Sequence, residues 1–308
     1  MTEHKLGWIK DPYDPRDRLY MTRTPTALPP IIDLSQYLPR DKNGKVIIRD
    51  QGNVGSCVGH GLSVNVCSVA VSLGIWSQQL YEYFSPTWIY NGARYIEGTL
   101  YQDAGAEPGD GLDWMVKSGT LLDHFWPYDP SKVDTNAPST LRKSEAVKYP
   151  DFAYQRMVDG VDGILTGLAE GHFVSIGAPW YSAWEGGSVD STGILPEVKA
   201  GDPIDGGHET CLFYADQPNR IFLGIQSWGK WGGAFGVAGA SYGFYKMPFS
   251  AIDAFKADGG YDGHVITFNP LQPVPPVPPT PPKPKCCLKA CWSRWTDKAP
   301  QCPCKQQQ

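Results

Sequence analysis

The sequence predicts an α+β fold of two lobes, a helical N-terminal lobe followed by an antiparallel, β-rich C-terminal lobe. Three observations predict it. An apolar run with small residues covers 57–75, and two further helical patterns follow before residue 120. From residue 172 the pattern changes to short β-branched and aromatic runs separated by Gly, Pro or Asn. Hydrophobic residues make up 41% of the 308-residue chain and charged residues 19%, a balance that buries a core rather than leaving the chain disordered.

Residues 1–32 read as an extended arm, because Pro12, Pro15, Pro25, Pro29 and Pro30 forbid a continuous helix and Asp14-Pro15-Arg16-Asp17 makes a charged turn. The main domain is expected over 33–268. Its first helix, 57–75, is fed by the tight loop Gly52-Asn53-Val54-Gly55-Ser56. Helices are expected at 86–98 and at 109–119, the latter stopped by Gly119, with a short one at 160–170. Strands are expected from His172 to Ala178, Glu209 to Tyr214, Arg220 to Gln226 and Gly243 to Met247. Residues 269–285 hold nine prolines after position 269 and read as a semi-rigid polyproline II linker able to dock a partner. The segment 286–308 reads as a disordered, Cys-rich basic tail. Zinc binding, disulfides and acylation are alternatives for its cysteines.

Charge is uneven. Residues 270–308 carry +5 and the remaining 269 carry -10. An acidic body argues against nucleic-acid binding by the main domain. The first residues contain no apolar run of signal-peptide length, and no stretch is long enough for a membrane span. A cytoplasmic or virion-associated location is expected. Cys57, Cys67 and Cys211 are the three cysteines of the main domain, an odd set that does not suggest a disulfide framework.

Cys57 has the strongest claim to chemistry. A thiol reacts as thiolate, and its usual pKa near 8.5 leaves only a few per cent ionised at neutral pH. A helix N-terminus and a neighbouring imidazolium both lower that value. Cys57 opens an apolar helix after a Gly-rich loop, where Gly55 and Ser56 leave room for a carbonyl. The Cys57 N–H and the side chain of Gln51 would form an oxyanion hole. A buried structural cysteine is the plainer alternative.

The string Asp50-Gln51-Gly52-Asn53-Val54-Gly55-Ser56-Cys57 resembles the active-site segment of papain-like (C1 family) cysteine peptidases. Gly206-Gly207-His208-Glu209-Thr210 resembles the segment bearing the family's histidine. Gln226-Ser227-Trp228-Gly229-Lys230-Trp231-Gly232 resembles the Asn-Ser-Trp-Gly-x-x-Trp-Gly segment. Leu6-Gly7-Trp8-Ile9-Lys10-Asp11 and Asp14-Pro15-Arg16-Asp17 are similar to the opening of bacterial and phage members that lack a long propeptide. The resemblance implies a papain-like fold with the site between the lobes, a protein or peptide substrate, and no need for a metal or organic cofactor. It assigns Cys57 as nucleophile, His208 as its partner and Gln51 as oxyanion donor. Gln226 would orient His208, and Gly55, Ser56, Gly207 and Trp228 would support the site.

Four departures stand out. Gln226 replaces the family's asparagine, keeping the amide acceptor on a longer stem. Val54 replaces a disulfide cysteine, and Val58 the tryptophan after the nucleophile. Glu209 replaces a small residue; strand alternation turns it from His208 and it reads as a solvated or salt-bridged carboxylate, whereas turned toward the cleft it would favour basic substrates. Two further readings remain open: a weakly active or inactive module with a structural or binding role, as on a virion, and an amidase or transglutaminase on the same fold.

Overall fold

A computed structural model describes residues 4–20, 28–75, 83–132, 138, 140–146 and 152–268, all within the unit Met1–Val274. The proline-rich linker and the Cys-rich tail, with the expectations placed on them, lie outside the described residues.

The helical part is built round one buried helix. Helix α1 (Cys57–Ser72) is apolar on every side and buried from Cys57 to Ala70, as a central helix must be. It stops three residues before the predicted end, because Gly74 takes a left-handed φ of 66°. Helix α2 (Pro86–Glu97) begins at Ser85, whose hydroxyl accepts the Trp88 N–H at 3.1 Å, with Pro86 at the first helical position. Gly98, at φ 74°, ends it. Helix α3 (Pro108–Ser118) ends at Gly119, the predicted stop. Short helices α4 (Thr140–Glu145), α5 (Gly160–Ala169), α6 (Val189–Thr192) and α7 (Ser250–Ala257) follow. Trp88 anchors the packing of α2 and α3, with its indole N–H on Gly119 O and its ring 5.1 Å from that of Trp114.

Among the described residues the strands are β1 (Ile31–Asp33), β2 (Phe152–Met157), β3 (Val174–Tyr181), β4 (Ile204–Asp216), β5 (Ile221–Ile225), β6 (Phe244–Pro248) and β7 (Asp262–Phe268). They form one antiparallel sheet in the order β2-β7-β3-β4-β5-β6, with β1 paired to β4. Strand β4 starts five residues before the predicted strand and so contains Gly206, Gly207 and His208. The sequence reading had no strand at β1, β2 or β7. Their polar and apolar residues are mixed, and pairing rather than local pattern makes them strands.

The N-terminal residues lie on this body. Trp8 N donates to Gly207 O at 2.9 Å, Ala106 N donates to Gly7 O at 2.9 Å, and Ile9 N donates to Ala106 O at 3.0 Å. Tyr20 N donates to Arg156 O at 2.8 Å. The fold places the start of α1, the Gly207–His208 stretch of β4 and the loop after β5 side by side, with residues 4–11 running across them.

Candidate active site

Cys57 is the first residue of α1 and is completely buried. The loop before it is fixed from two sides. Asp103 accepts the Gly55 N–H at 3.0 Å and the Tyr90 hydroxyl at 2.6 Å. Tyr128 donates its hydroxyl to Gln51 O at 2.7 Å and lies 2.7 Å from the Ser56 hydroxyl. Sequence reading noted Tyr128 only within a resemblance and did not single out Asp103, which lies 46 positions from the nucleophile and carries no local signature.

Gln51 sits behind the loop. Its Oε1 accepts the Ser227 hydroxyl at 2.6 Å, and its Nε2 donates to Val54 O and to Lys5 O, each at 2.8 Å. One amide proton thus braces the loop while the other meets a carbonyl of the N-terminal segment. Lys5 itself reaches Asp103 at 2.5 Å.

His208 comes from the middle of β4 and Gln226 from the residue after β5. The two meet at 2.5 Å between His208 Nε2 and Gln226 Oε1. An amide oxygen only accepts, so His208 carries its proton on Nε2. Its Nδ1 is buried and has no hydrogen-bond partner among the described residues. The Trp228 ring lies 4.6 Å from the imidazole and the Trp180 ring 5.0 Å from it, edge-on. Trp180, on β3, also touches Trp184, Trp228, Trp231 and Tyr245. The sequence reading gave Trp228 a supporting place beside the histidine and treated the other large aromatics as core filler; Trp180 is core and also walls the histidine from water.

The electrostatics correct one expectation. The thiol of Cys57 is raised rather than lowered: burial pushes it up to about 12. The backbone N–H groups of Glu209, Gly7 and Val58 act the other way and do not prevail. His208 is pushed down to about 4, first by burial, while the bond to Gln226 opposes the shift and His4 adds to it. In this arrangement thiol and imidazole are both neutral at pH 7. The physical reason is burial, to which the Trp180 and Trp228 rings and the N-terminal segment lying over the site all contribute. His4 stacks on Trp228 with ring centroids 4.6 Å apart, Lys5 O occupies the Gln51 amide, and Gly7 lies against Gly55.

A second correction concerns Glu209. It is neither solvated nor ion-paired. The side chain is buried, both carboxylate oxygens lack a hydrogen-bond partner among the described residues, and burial raises its pKa well above the usual value. Gly61 on α1 and Gly177 on β3 make the room: a Cβ on Gly61 would lie 2.9 Å from Glu209 Cγ.

The other cysteines of the domain, and the histidine one turn along α1 from Cys57, have structural places. His60 points its Nδ1 back to Ser56 O at 2.9 Å and not to the thiol. Cys67 accepts the Phe84 N–H, and Cys211 is buried in the sheet. No group of three His, Cys, Asp or Glu suited to a metal ion occurs among the described residues, and none of their helices is long and apolar enough to cross a membrane.

No family model matches the chain. It is 26% identical over 270 residues to an uncharacterized peptidase C1-like protein of Acanthamoeba polyphaga mimivirus, covering 80% of this chain and 82% of the relative. Among solved structures it resembles xylellain, a cysteine protease from Xylella fastidiosa, with a TM-score of 0.69, 25% identity, and coverage of 86% of this chain and 96% of the other. It also resembles a procathepsin B from Trypanosoma congolense, with a TM-score of 0.62, 14% identity and coverage of 86% and 85%.

Proposed function

We propose that this chain, a papain-like cysteine-type peptidase, hydrolyses peptide bonds through Cys57 and His208 and an acyl-enzyme intermediate. The observation that carries the reading is the His208–Gln226 bond. It fixes the proton on Nε2 and leaves Nδ1 as the free base, the tautomer that a thiol needs as its proton acceptor. Gln226 therefore performs the orienting role of the shorter asparagine.

His208 Nδ1 takes the Cys57 proton, and the thiolate attacks the substrate carbonyl carbon. Negative charge gathers on the carbonyl oxygen, where the Gln51 Nε2 proton now given to Lys5 O and the Cys57 N–H receive it. The C–N bond breaks as His208 returns its proton to the leaving amine. Water, deprotonated by the same imidazole, then hydrolyses the thioester and frees Cys57.

Residues 4–8 must leave first. While they lie in place the oxyanion donor is taken and the thiol and imidazole are too dry to form an ion pair. The chain as folded is a latent enzyme.

The test is labelling by an irreversible peptidyl epoxide together with casein cleavage, in the full chain, with Cys57→Ala and His208→Ala as controls. The expected result is adduct on Cys57 and cleavage lost in both controls. A folded chain with its N-terminal segment displaced that neither reacts at Cys57 nor cleaves casein would overturn the reading. Release of fragments from peptidoglycan without casein cleavage would move it to an amidase.

A further inference from the structure

A cavity of about 10 Å³ is lined by Arg49, His60, Tyr83, Glu209, Gln226 and Ser227, with apolar residues around them. That is room for one water molecule and no more. His60 and Gln226 are both buried, and the Nε2 atom of each has no hydrogen-bond partner among the described residues. The two atoms have opposite needs. His60 Nδ1 faces Ser56 O at 2.9 Å, and a carbonyl only accepts, so the proton sits on Nδ1 and Nε2 is a bare acceptor. Burial pushes His60 down to about 3, so the ring is neutral at pH 7. Gln226 Nε2 only donates.

The direction of the Gln226 amide matters for His208. A glutamine amide is nearly symmetric in shape, so only hydrogen bonding tells its two ends apart. Here Oε1 faces His208 Nε2 at 2.5 Å and also accepts the Ser227 N–H at 3.2 Å. Turned half round, the amide would present its N–H to His208, and the imidazole would have to carry its proton on Nδ1, the atom the thiol needs as base. An acceptor on the far side of the amide therefore protects the useful tautomer. Glu209, its proton held by burial, and the Tyr83 hydroxyl both donate as well as accept, and so do not tell an amide oxygen from an amide nitrogen. The Ser227 hydroxyl is given to Gln51 Oε1. Of the side chains that share the cavity with Gln226, only His60 presents an atom that can do nothing but accept.

We propose that His60 is a positioning residue for the catalytic pair: one water molecule in this cavity accepts from Gln226 Nε2 and donates to His60 Nε2, which keeps the Gln226 oxygen turned to His208. Arg49, whose Nε–H also lacks a partner among the described residues, supplies a second donor to the water. Three bonds are the usual complement of a buried water. The proposal rests on the peptidase reading above.

The test separates the two nitrogens of the His60 ring in the full chain. His60→Asn keeps a donor where Nδ1 meets Ser56 O and removes the far acceptor. His60→Gln keeps an acceptor near the Nε2 position and gives up the near donor. Long-range nitrogen–proton NMR of the isotope-labelled chain reads the His208 tautomer and needs no catalysis. The ratio of the Nδ1-protonated to the Nε2-protonated form is expected to rise about two- to tenfold in His60→Asn, the loss of one hydrogen bond, and to stay near the native ratio in His60→Gln. On a peptide cleaved by the native chain, kcat is expected to fall by a similar factor in His60→Asn with KM unchanged. A purely structural role through Ser56 predicts the reverse order. That order, or equal tautomer ratios in all three chains, would overturn the proposal. The water itself is read in the native chain, as a nuclear Overhauser effect from a slowly exchanging water to the Gln226 side-chain amide protons. Its absence would overturn the proposal whether or not either variant folds. The tautomer shift in a chain that cleaves no peptide would leave the positioning standing and overturn the peptidase reading.

Discussion

Gly7 packs so closely on Gly55 that a Cβ on Gly7 would lie 2.0 Å from the Gly55 carbonyl oxygen. Gly105 closes the other side, since a Cβ there would lie 2.4 Å from Gly7 O. The N-terminal segment crosses the nucleophile at the one kind of residue thin enough to pass. All the clashing atoms are backbone, so they cannot swing aside.

Gly7→Ala is therefore expected to lift the segment without disturbing the core. A displacement worth about 1.4 kcal/mol raises the open population about tenfold. The measurement is the rate of Cys57 alkylation by iodoacetamide at neutral pH, expected to rise by about that factor while the thermal midpoint stays close to the native one. An alkylation rate equal to the native one would remove the gating role of the segment.

The Gln226 amide oxygen receives the proton-bearing nitrogen of an imidazole that must become cationic during catalysis. A hydrogen bond to a charged group contributes about 1.5–3 kcal/mol, so Gln226→Ala is expected to lower kcat/KM by about 10- to 150-fold. Gln226→Asn keeps the acceptor on a shorter stem and is expected to fall between the native enzyme and Gln226→Ala. Steady-state kinetics on a peptide cleaved by the native enzyme decides it.

Acidic groups crowd the place where α3 meets residues 8–11. Burial, then the carboxylates of Asp110, Glu97, Asp11 and Asp262, push Glu107 up to about 7. Burial, then Asp11, pushes Asp262 up to about 6. An acid with a raised folded pKa holds its proton more tightly folded than unfolded. Stability from these groups is thus fully present below the usual carboxyl pKa near 4, is lost as pH rises from there through 6 and 7, and is regained on the way down. The thermal midpoint is expected to be higher near pH 5.5 than near pH 8, with Glu107→Gln raising it more near pH 8 than near pH 5.5. Differential scanning fluorimetry across this range is sufficient; a native profile that climbs steadily toward pH 8 contradicts the assignment.

Asp103 is the main acceptor beneath the nucleophile loop. Asp103→Ala strands the Gly55 N–H and the Tyr90 hydroxyl, an unsatisfied pair costing about 1–3 kcal/mol for each group left buried. The Lys5 ion pair adds little, because Lys5 is 41% exposed. A midpoint lowered by several degrees is expected, at about 2–4 °C per kcal/mol for a domain of this size. Calorimetry on the folded variant measures it.

Much of the architecture was legible before folding because its signals are local. The run at 57–75, Ser85-Pro86 and Gly119 each state a helix or its end through their own backbone chemistry. The strands β2 and β7 were not legible, since Arg156 and Asp262 enter them as partners of each other and of the N-terminal segment. At the site, the segments holding Gln51, Cys57, His208 and Gln226 were readable as a resemblance. The protonation of that site was not.

The sequence by itself determined which side chains could do thiol chemistry: a cysteine at a glycine-fed helix start, a histidine after two glycines, an amide before Ser227-Trp228. Those are properties of residue type and neighbours along the chain. Only the tertiary structure decided that Cys57 and His208 are dry and neutral, that Lys5 O holds the Gln51 amide, and that Glu209, Gly177 and Asp262 stand in register on three neighbouring strands. Each of these depends on desolvation or cross-strand register between segments 32 or more residues apart, and no local pattern encodes which distant backbone will lie on top.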